Sequence, residues 1–131
     1  VFRLNLLGKY AGEYREALAM EGVGKKRTLK VWKQILSDLD SGDPTRRKYA
    51  IIEADKALDE LLKLSGFQGE TMSDRLKQVS AAQISNLDDI WTAHKVRNRI
   101  AHEPDFQIGH DDADRIVKMY ARTFQQFGLI D

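Results

Sequence analysis

The chain has 131 residues, the length of a single domain, and 21 lysines and arginines against 20 aspartates and glutamates give it a net charge of +1. It contains no cysteine, which excludes a disulfide framework and a thiolate metal site. The near-zero charge excludes attraction of polyanions by the whole molecule, so any nucleic-acid site must be a local patch. No apolar run approaches about 18 residues, and we expect a cytoplasmic protein with no membrane span in this stretch.

The first 27 residues are predicted to form a helical arm and a linker, and residues 28–131 a helical bundle. In residues 1–20, apolar side chains recur at helical spacing at Leu4, Leu7, Ala11, Tyr14 and Leu18. Two glycines and a basic triplet in residues 21–27 (EGVGKKR) indicate a linker. Because the chain begins at Val1 rather than at methionine, we expect further sequence upstream of it.

Two amphipathic helices joined by a tight turn are predicted next. The first covers residues 28–39, with an apolar face at Leu29, Trp32, Ile35, Leu36 and Leu39. In the turn, Asp43 is expected to cap the second helix and Pro44 to take its first position. That helix is expected to run to about Ser65, where Gly66 ends it. Its predicted buried face holds Ala50, Ile51, Ala54, Ala57, Leu58, Leu61 and Leu64.

A tight loop and a short helix are predicted in residues 66–84. Phe67 anchors the loop, and Thr71 with Asp74 forms a capping pair for the short helix. Its apolar face is supplied by Met72, Leu76 and Val79. This short helix leads into the segment with the most unusual side chains.

Residues 86–103, NLDDIWTAHKVRNRIAHE, are predicted to form one helix, capped by Ser85 with Asp88 and ended by the proline that follows. At 100° per residue, its apolar stripe holds Leu87, Ile90, Ala93, Ile100 and Ala101. Arg97 falls inside this stripe. Because an uncompensated charge in a dry core is strongly destabilising, Arg97 is expected to face either a partner carboxylate, such as Asp55, or an opening.

A polar stripe runs beside the apolar one on the same helix. Spacings of three or four residues place Trp91, His94, Asn98 and His102 along one edge. Lys95 and Arg99 lie next to His102 on its outer side. His102 belongs to the last turn, where the helix dipole favours a protonated imidazole. That position suits a residue that exchanges protons near neutral pH.

The last helix is predicted to begin at His110, with three aspartates in its first turn, and to end at Gly128. Its apolar face holds Ala113, Ile116, Val117, Tyr120, Phe124 and Phe127. No stretch shows the period-two alternation of an exposed strand. We therefore predict an all-α fold, a bundle of four to five helices with short loops.

The segment Arg97-Asn98-Arg99-Ile100-Ala101-His102 reads R-N-x-x-x-H at the end of a bundle helix, just before a proline. This pattern resembles the HEPN superfamily (higher eukaryotes and prokaryotes nucleotide-binding domains), in which an arginine and a polar residue precede a histidine. The long helix AIIEADKALDELLKLSGF, the short helix and the W-x-x-H-x-x-R-N helix are also similar to those of prokaryotic HEPN domains. The resemblance covers roughly residues 32–127.

The resemblance implies a metal-independent endoribonuclease that needs no cofactor and acts on RNA. Such domains are toxin or host-defence modules, often silenced by an antitoxin or another regulatory protein. The residues fit that chemistry, because attack of the 2′-OH on the adjacent phosphorus needs a proton carrier, here His102, and a cation for the charged phosphate oxygens, here Arg97. Asn98 can orient the imidazole or hold the phosphate.

On an ideal helix Arg97 and His102 point about 140° apart, so one copy would make an incomplete site. The resemblance implies that two protomers pair so that both motifs line one cleft, and we therefore expect a composite site in a homodimer. Lys95, Arg99 and His94 are expected to contact RNA phosphate.

Each of these residues also has a structural interpretation. Arg97 can pair with a buried carboxylate, His102 can be an ordinary helix-terminal histidine, and His94 can be packed in the core or at an interface. A metal site at His94, His102 and His110 is disfavoured, because no carboxylate lies at ligand spacing with two of them. The alternative function is a non-catalytic module that binds RNA, a nucleotide or a protein.

Overall fold

The structure, a computed structural model, describes residues 24–131, most of which are helical. The helices of this part are α1 (Gly24–Asp40), α2 (Pro44–Leu64), α3 (Met72–Leu76), α4 (Leu87–His102) and α5 (His110–Gln126). No β-strand occurs between residues 24 and 131, which confirms the predicted all-α bundle of four to five helices. The helix predicted in residues 1–20 lies outside the described residues. None of the five described helices combines the length and apolar character that a bilayer span requires.

Helix α1 begins at Gly24 rather than at Thr28. The sequence pattern assigns residues 24–27 to a linker, but in the structure they form the first turn of this helix. Lysine and arginine are good helix formers, and a single glycine at a helix end is tolerated. Lys26 and Arg27 are exposed, so these two residues extend the helix without burying charge.

Two leucines that the sequence pattern assigns to the core are exposed. Leu36 of α1 is 48% exposed, and Leu64, the last residue of α2, is 56% exposed. Leu62, which the pattern omits, is fully buried instead. The other predicted core positions of these two helices are buried or partly buried. Apolar periodicity thus predicts the apolar stripe of each helix, but the packing of the neighbouring helices determines how much of the helix surface is buried.

Helix α2 is the central element of the bundle, because it packs against α1, α3, α4 and α5. Its N-terminus is built as predicted: Asp43 accepts a hydrogen bond from the Thr45 N–H at 2.9 Å, and Pro44 takes the first position. Ala50 and Ala54 are fully buried and let neighbouring helices approach closely. The apolar core around α2 includes Trp32, Ile35, Leu39, Ile90, Ala93, Ile116, Val117, Tyr120 and Phe124.

Helix α4 starts after Asn86, and the predicted cap by Ser85 is wrong. Ser85 instead donates from its backbone N–H and from its hydroxyl to Gln126 Oε1, at 3.0 and 2.9 Å. The Asn86 side chain donates to the Met119 carbonyl and accepts from the Thr123 hydroxyl, both at 2.9 Å. Bonds to α5 therefore replace the local cap and fix the direction of α4.

Only the N-terminal half of α4 is enclosed by the core. Ile90, Ala93 and His94 are buried, whereas Ile100 is partly buried and Ala101, predicted for the apolar stripe, is exposed. The C-terminal half borders an open space beside α2. The apolar stripe of α4 is therefore a core surface at one end of the helix and the edge of a cleft at the other.

The short helix α3 closes one side of this space. Its predicted capping box is present, since the Thr71 hydroxyl accepts from the Asp74 N–H and the Asp74 carboxylate accepts from the Thr71 N–H. Arg75 is buried and forms a two-pronged ion pair with Asp59 of α2, with N–O distances of 2.7 and 2.8 Å. It also donates to the Gly69 carbonyl. These bonds hold α3 and the preceding loop against α2.

We expect Arg75→Met to lower the free energy of unfolding by about 2–4 kcal/mol, because it leaves Asp59, 18% exposed at its side chain, without its main partner. Arg99→Met is the matched control. It breaks an exposed pair with Glu103 and should cost less than about 1 kcal/mol. Urea unfolding followed by circular dichroism measures both, and equal losses would contradict the importance of the buried pair.

Candidate functional site

An open cleft of about 660 Å³ lies between α2, α3 and the C-terminal half of α4, and we name it the α2–α4 cleft. It is lined by Ile52, Asp55, Lys56, Asp59 and Lys63 from α2, by Glu70, Thr71, Met72, Ser73 and Arg75 from the α3 region, and by His94, Arg97, Asn98 and His102 from α4. Helical spacing explains the α4 set, because residues four apart lie on one face. The three predicted catalytic residues thus meet at one cleft.

Arg97 and His102 both line the cleft, although ideal helix geometry points them about 140° apart. Asn98 lines the cleft with them, so the opening includes all three residues. His102 is exposed in the last turn of α4. A single copy therefore brings the three residues to one opening, and the composite site formed by two copies stays a prediction.

Arg97 contacts a carboxylate and also faces an opening, the two surroundings that its sequence position predicts as alternatives. Its Nε lies 3.6 Å from Asp55 Oδ2, an ion pair with a buried carboxylate, while 35% of its side chain is exposed. Its Nη1 donates to Asn98 Oδ1 at 3.0 Å, whereas no hydrogen bond joins Asn98 to His102. Within residues 24–131, Arg97 Nε is enclosed without a hydrogen-bond partner. The guanidinium is thus anchored on one side and open to the cleft on the other.

A buried carboxylate lies beneath the cleft and joins three helices. Asp55 of α2 is 3% exposed. Its Oδ1 accepts from the Tyr120 hydroxyl of α5 at 2.7 Å and lies 3.0 Å from His94 Nδ1 of α4. Its Oδ2 faces Arg97. We name Asp55, His94, Arg97 and Tyr120 the Asp55 network.

The sequence predicts only part of the Asp55 network. Asp55 is expected there as one carboxylate that Arg97 can reach, and Tyr120 is expected on the apolar face of the last helix. One signal was available: Asp55 lies between Ala54 and Leu58 on the apolar face of α2, where an acid needs partners. The identity of those partners follows from tertiary packing and from no local pattern.

Burial raises the pKa of Tyr120 well above its ordinary value. The charge of Asp55 and the hydrogen bond to it raise that pKa further, while the nearby Arg97 lowers it by a smaller amount. Tyr120 therefore remains a neutral hydroxyl that donates its proton to Asp55. The carboxylate needs this donor, because a buried charge is stable only when its oxygens are hydrogen-bonded.

Two of the three predicted phosphate contacts lie away from the cleft. Lys95 is exposed and does not line it. Arg99 bonds to Glu103 at distances of 3.1 to 3.3 Å and stacks 4.2 Å from the ring centroid of Phe106. The third, His94, lines the cleft but is buried against Asp55. The outer edge of α4 is therefore a separate surface from the cleft.

The cleft has other cations of its own. Lys56 and Lys63 of α2 line it together with Arg75 and Arg97, and the lining also includes three acidic residues. Arg75 is committed to its buried pair, so the lysines and Arg97 are the cations that an anionic ligand would meet. Lys63 makes only long ion pairs of 3.6 and 3.9 Å, and Lys56 makes none within residues 24–131. Along α2 these lysines alternate with acidic residues, a pattern typical of a solvent-exposed helix face. The sequence therefore does not indicate that they line a cleft.

The third histidine lies outside the cleft. His110 Nε2 is 3.5 Å from an Asp40 oxygen, and its Nδ1 is 3.4 Å from an Asp111 oxygen. Across residues 24–131, no three histidine, aspartate or glutamate side chains are grouped so that they could hold a metal ion. Of the three histidines, His94 and His102 line the cleft and His110 does not.

Comparison with known proteins identifies no relative. The chain matches no protein family, no curated protein and no solved structure. The HEPN resemblance therefore rests on the R-N-x-x-x-H pattern and on the order of the helices, and it stays a prediction. The function must be inferred from the chemistry of the α2–α4 cleft.

The raised pKa of Tyr120 predicts a loss of stability in alkali. The ordinary pKa of a tyrosine hydroxyl is 10.0, so above that pH the unfolded chain releases the Tyr120 proton while the folded chain still holds it. The free energy of unfolding should therefore hold below that pH and fall as the pH rises further. Tyr120→Phe should abolish this alkaline slope and, because Asp55 loses a donor, cost about 1–3 kcal/mol at neutral pH.

Urea unfolding at several pH values between neutrality and the alkaline range measures both effects. Tyr49→Phe is the matched control, since Tyr49 is 54% exposed and its substitution should leave slope and stability unchanged. An alkaline slope in Tyr120→Phe equal to that of the unsubstituted protein would contradict the prediction.

Proposed function

We propose that the chain is a metal-independent endoribonuclease that cleaves RNA in the α2–α4 cleft, by attack of the 2′-OH on the adjacent phosphorus. The observation that carries this proposal is the presence of Arg97, Asn98 and His102 at one opening, with Arg97 held by the buried Asp55. The reaction requires a positioned cation and a group that exchanges protons. An anchored guanidinium and an exposed imidazole at the same cleft provide both.

The roles follow from the chemistry of each side chain. Arg97 offers a planar fork of donors to the phosphate oxygens, which gain charge as the O2′–P bond forms. Its contact with Asp55 holds it in place beforehand, so little reorganisation is needed during the reaction. Asn98 accepts from Arg97 and fixes the plane of the guanidinium. His102 exchanges protons with the reacting oxygens, and Lys56 binds a flanking phosphate.

The acting species in this proposal is a homodimer with a composite site, as the HEPN resemblance implies. The edge of α4 that carries Asn98 and His102 supports an interface, because Trp91, which shares that edge, is only partly buried. The same resemblance supports a toxin or host-defence role, in which an antitoxin or another regulatory protein keeps the nuclease inactive.

A non-catalytic interaction module is the second candidate, and the Arg97–Asp55 ion pair favours it. A purely structural arginine would make the same 3.6 Å contact with a buried acid. In that case the cleft would bind RNA, a nucleotide or a protein partner without reaction. The two candidates differ in whether His102 exchanges a proton with bound RNA.

Arg97→Ala and His102→Ala should each reduce RNA cleavage by about 100-fold or more, because each removes a group that acts in the transition state. Cleavage of labelled RNA in the presence of a chelator measures the effect, with circular dichroism and size-exclusion chromatography to verify the fold and the oligomeric state. Arg97→Lys is a second variant that keeps a positive charge near Asp55 but loses the planar fork, and it should also cleave poorly.

The matched controls are Arg115→Ala and His110→Ala. Arg115 is exposed on α5 and pairs with Asp112, and His110 is exposed outside the cleft. Both variants should cleave as the unsubstituted protein does. Undiminished cleavage by folded Arg97→Ala and His102→Ala would contradict the proposal, and RNA binding without cleavage by the unsubstituted protein would favour the interaction module.

Mixing Arg97→Ala copies with His102→Ala copies tests the composite site. If one copy supplies the arginine and the other the histidine, random reassociation restores one intact site in each mixed dimer. About a quarter of the original activity should then return. Cleavage by the mixture after co-refolding is the measurement, and its absence would contradict a site shared between copies.

A further inference from the structure

His94 lines the cleft and belongs to the Asp55 network, yet the reaction proposed above gives it no role. We propose that His94, positioned by Asp55, is the base that takes the 2′-hydroxyl proton, and that His102 is the acid that protonates the leaving 5′-oxygen. This inference rests on the proposed endoribonuclease function. With this assignment, His94 accepts one proton and His102 donates the other. A single histidine would otherwise have to do both.

The partners of Asp55 determine the tautomer of His94. An ionised carboxylate only accepts hydrogen bonds, and the Tyr120 hydroxyl already donates to its Oδ1 at 2.7 Å. His94 Nδ1 lies 3.0 Å from the same oxygen, so it must carry a hydrogen in order to bond there. A neutral imidazole with a hydrogen on Nδ1 has a lone pair on Nε2. His94 therefore offers a proton acceptor rather than a donor.

The ring of His94 is held rigidly at the wall of the cleft. The residue is 4% exposed, and its ring packs edge-on against Trp91, with centroids 6.4 Å apart. Its Nε2 makes no hydrogen bond to any residue in 24–131. The bond to Asp55 on the opposite side of the ring prevents rotation. Because His94 lines the cleft and Asp55 holds its Nδ1, Nε2 is the ring nitrogen that remains for a ligand there.

Asp55 is the positioning residue of this arrangement. When His94 accepts a proton, the resulting imidazolium is bonded directly to the carboxylate, which stabilises the new charge. The other carboxylate oxygen faces Arg97 at 3.6 Å, so the guanidinium keeps its place beside the phosphate. One buried acid thus orients both the base and the cation of the proposed reaction.

The step balances without a further reactant. The 2′-hydroxyl proton moves to His94 Nε2 as the O2′–P bond forms. The P–O5′ bond breaks, its electron pair stays on O5′, and O5′ takes a proton from the His102 imidazolium. The products are a 2′,3′-cyclic phosphate and a 5′-hydroxyl. Proton exchange with solvent then restores both histidines, and in the proposed homodimer either copy can provide His102.

The tautomer can be tested in the unsubstituted protein, independently of activity. Long-range ¹H–¹⁵N NMR of the histidine side chains distinguishes a hydrogen on Nδ1 from one on Nε2. We expect His94 to carry it on Nδ1 at mildly alkaline pH, with its signals assigned by their loss in His94→Asn. A hydrogen on Nε2 would overturn the inference whatever the activity of the protein.

An RNA with a changed leaving group distinguishes the role of the base from that of the acid. At a mapped cleavage site, the bridging 5′-oxygen of the RNA is replaced by sulfur, because a thiolate leaves without being protonated. His102→Ala should then lose cleavage of the ordinary RNA but cleave the thio-RNA within about tenfold of the unsubstituted protein. His94→Asn should lose about 100-fold or more on both RNAs. The asparagine keeps an N–H donor toward Asp55, and His110→Ala should cleave both RNAs normally.

The outcomes distinguish this inference from the function on which it rests. Undiminished cleavage of RNA by His94→Asn overturns the role of His94 and leaves the endoribonuclease proposal standing. Rescue of His94→Asn rather than His102→Ala by the thio-RNA also overturns it, because the two roles would be reversed. If the unsubstituted protein cleaves neither RNA, both proposals fail.

Discussion

The bundle and its candidate site depend on one buried carboxylate. Asp55 is stable in the core only because Tyr120, His94 and Arg97 surround it with donors and positive charge. The acid belongs to α2, the phenol to α5, and the histidine and arginine to α4. The contacts that pack these three helices together therefore also align the polar side chains of the cleft. Loosening the network would disturb the packing of the bundle and the geometry of the site at once.

Helix α4 connects the core to the cleft. Its start is fixed by hydrogen bonds from Ser85 and Asn86 to α5, and its first half is buried. Its second half leaves the core and carries its polar residues along the open space beside α2. On the other side, the buried Arg75–Asp59 pair holds α3 in place. The cleft is thus a gap between elements that buried contacts hold in place, which suits groups that must be positioned before a substrate arrives.

The sequence predicts the fold well where the signals are local. Apolar periodicity and the cap at Asp43 depend on neighbouring residues, and the predicted bundle helices of residues 28–131 and this cap are confirmed, although Leu36, Leu64 and Ala101 of the predicted apolar faces are exposed. The cap predicted at Ser85 is wrong because the Ser85 N–H and hydroxyl donate instead to Gln126, far away in the chain, and the helix starts after Asn86. The residues of the candidate site likewise include some that a local pattern predicts and some that only tertiary packing brings together. The R-N-x-x-x-H pattern lies within one helix and is visible, whereas Asp55 meets its tyrosine across 65 positions of sequence, where no local pattern can indicate the contact.

The most direct test of this account is the chemistry of the ends that the unsubstituted protein leaves on a defined RNA in the presence of a chelator. Attack by the 2′-OH within the α2–α4 cleft predicts fragments that end in a 2′,3′-cyclic phosphate and begin with a 5′-hydroxyl. Fragments with 3′-hydroxyl and 5′-phosphate ends would contradict it, as would RNA that is bound but never cut.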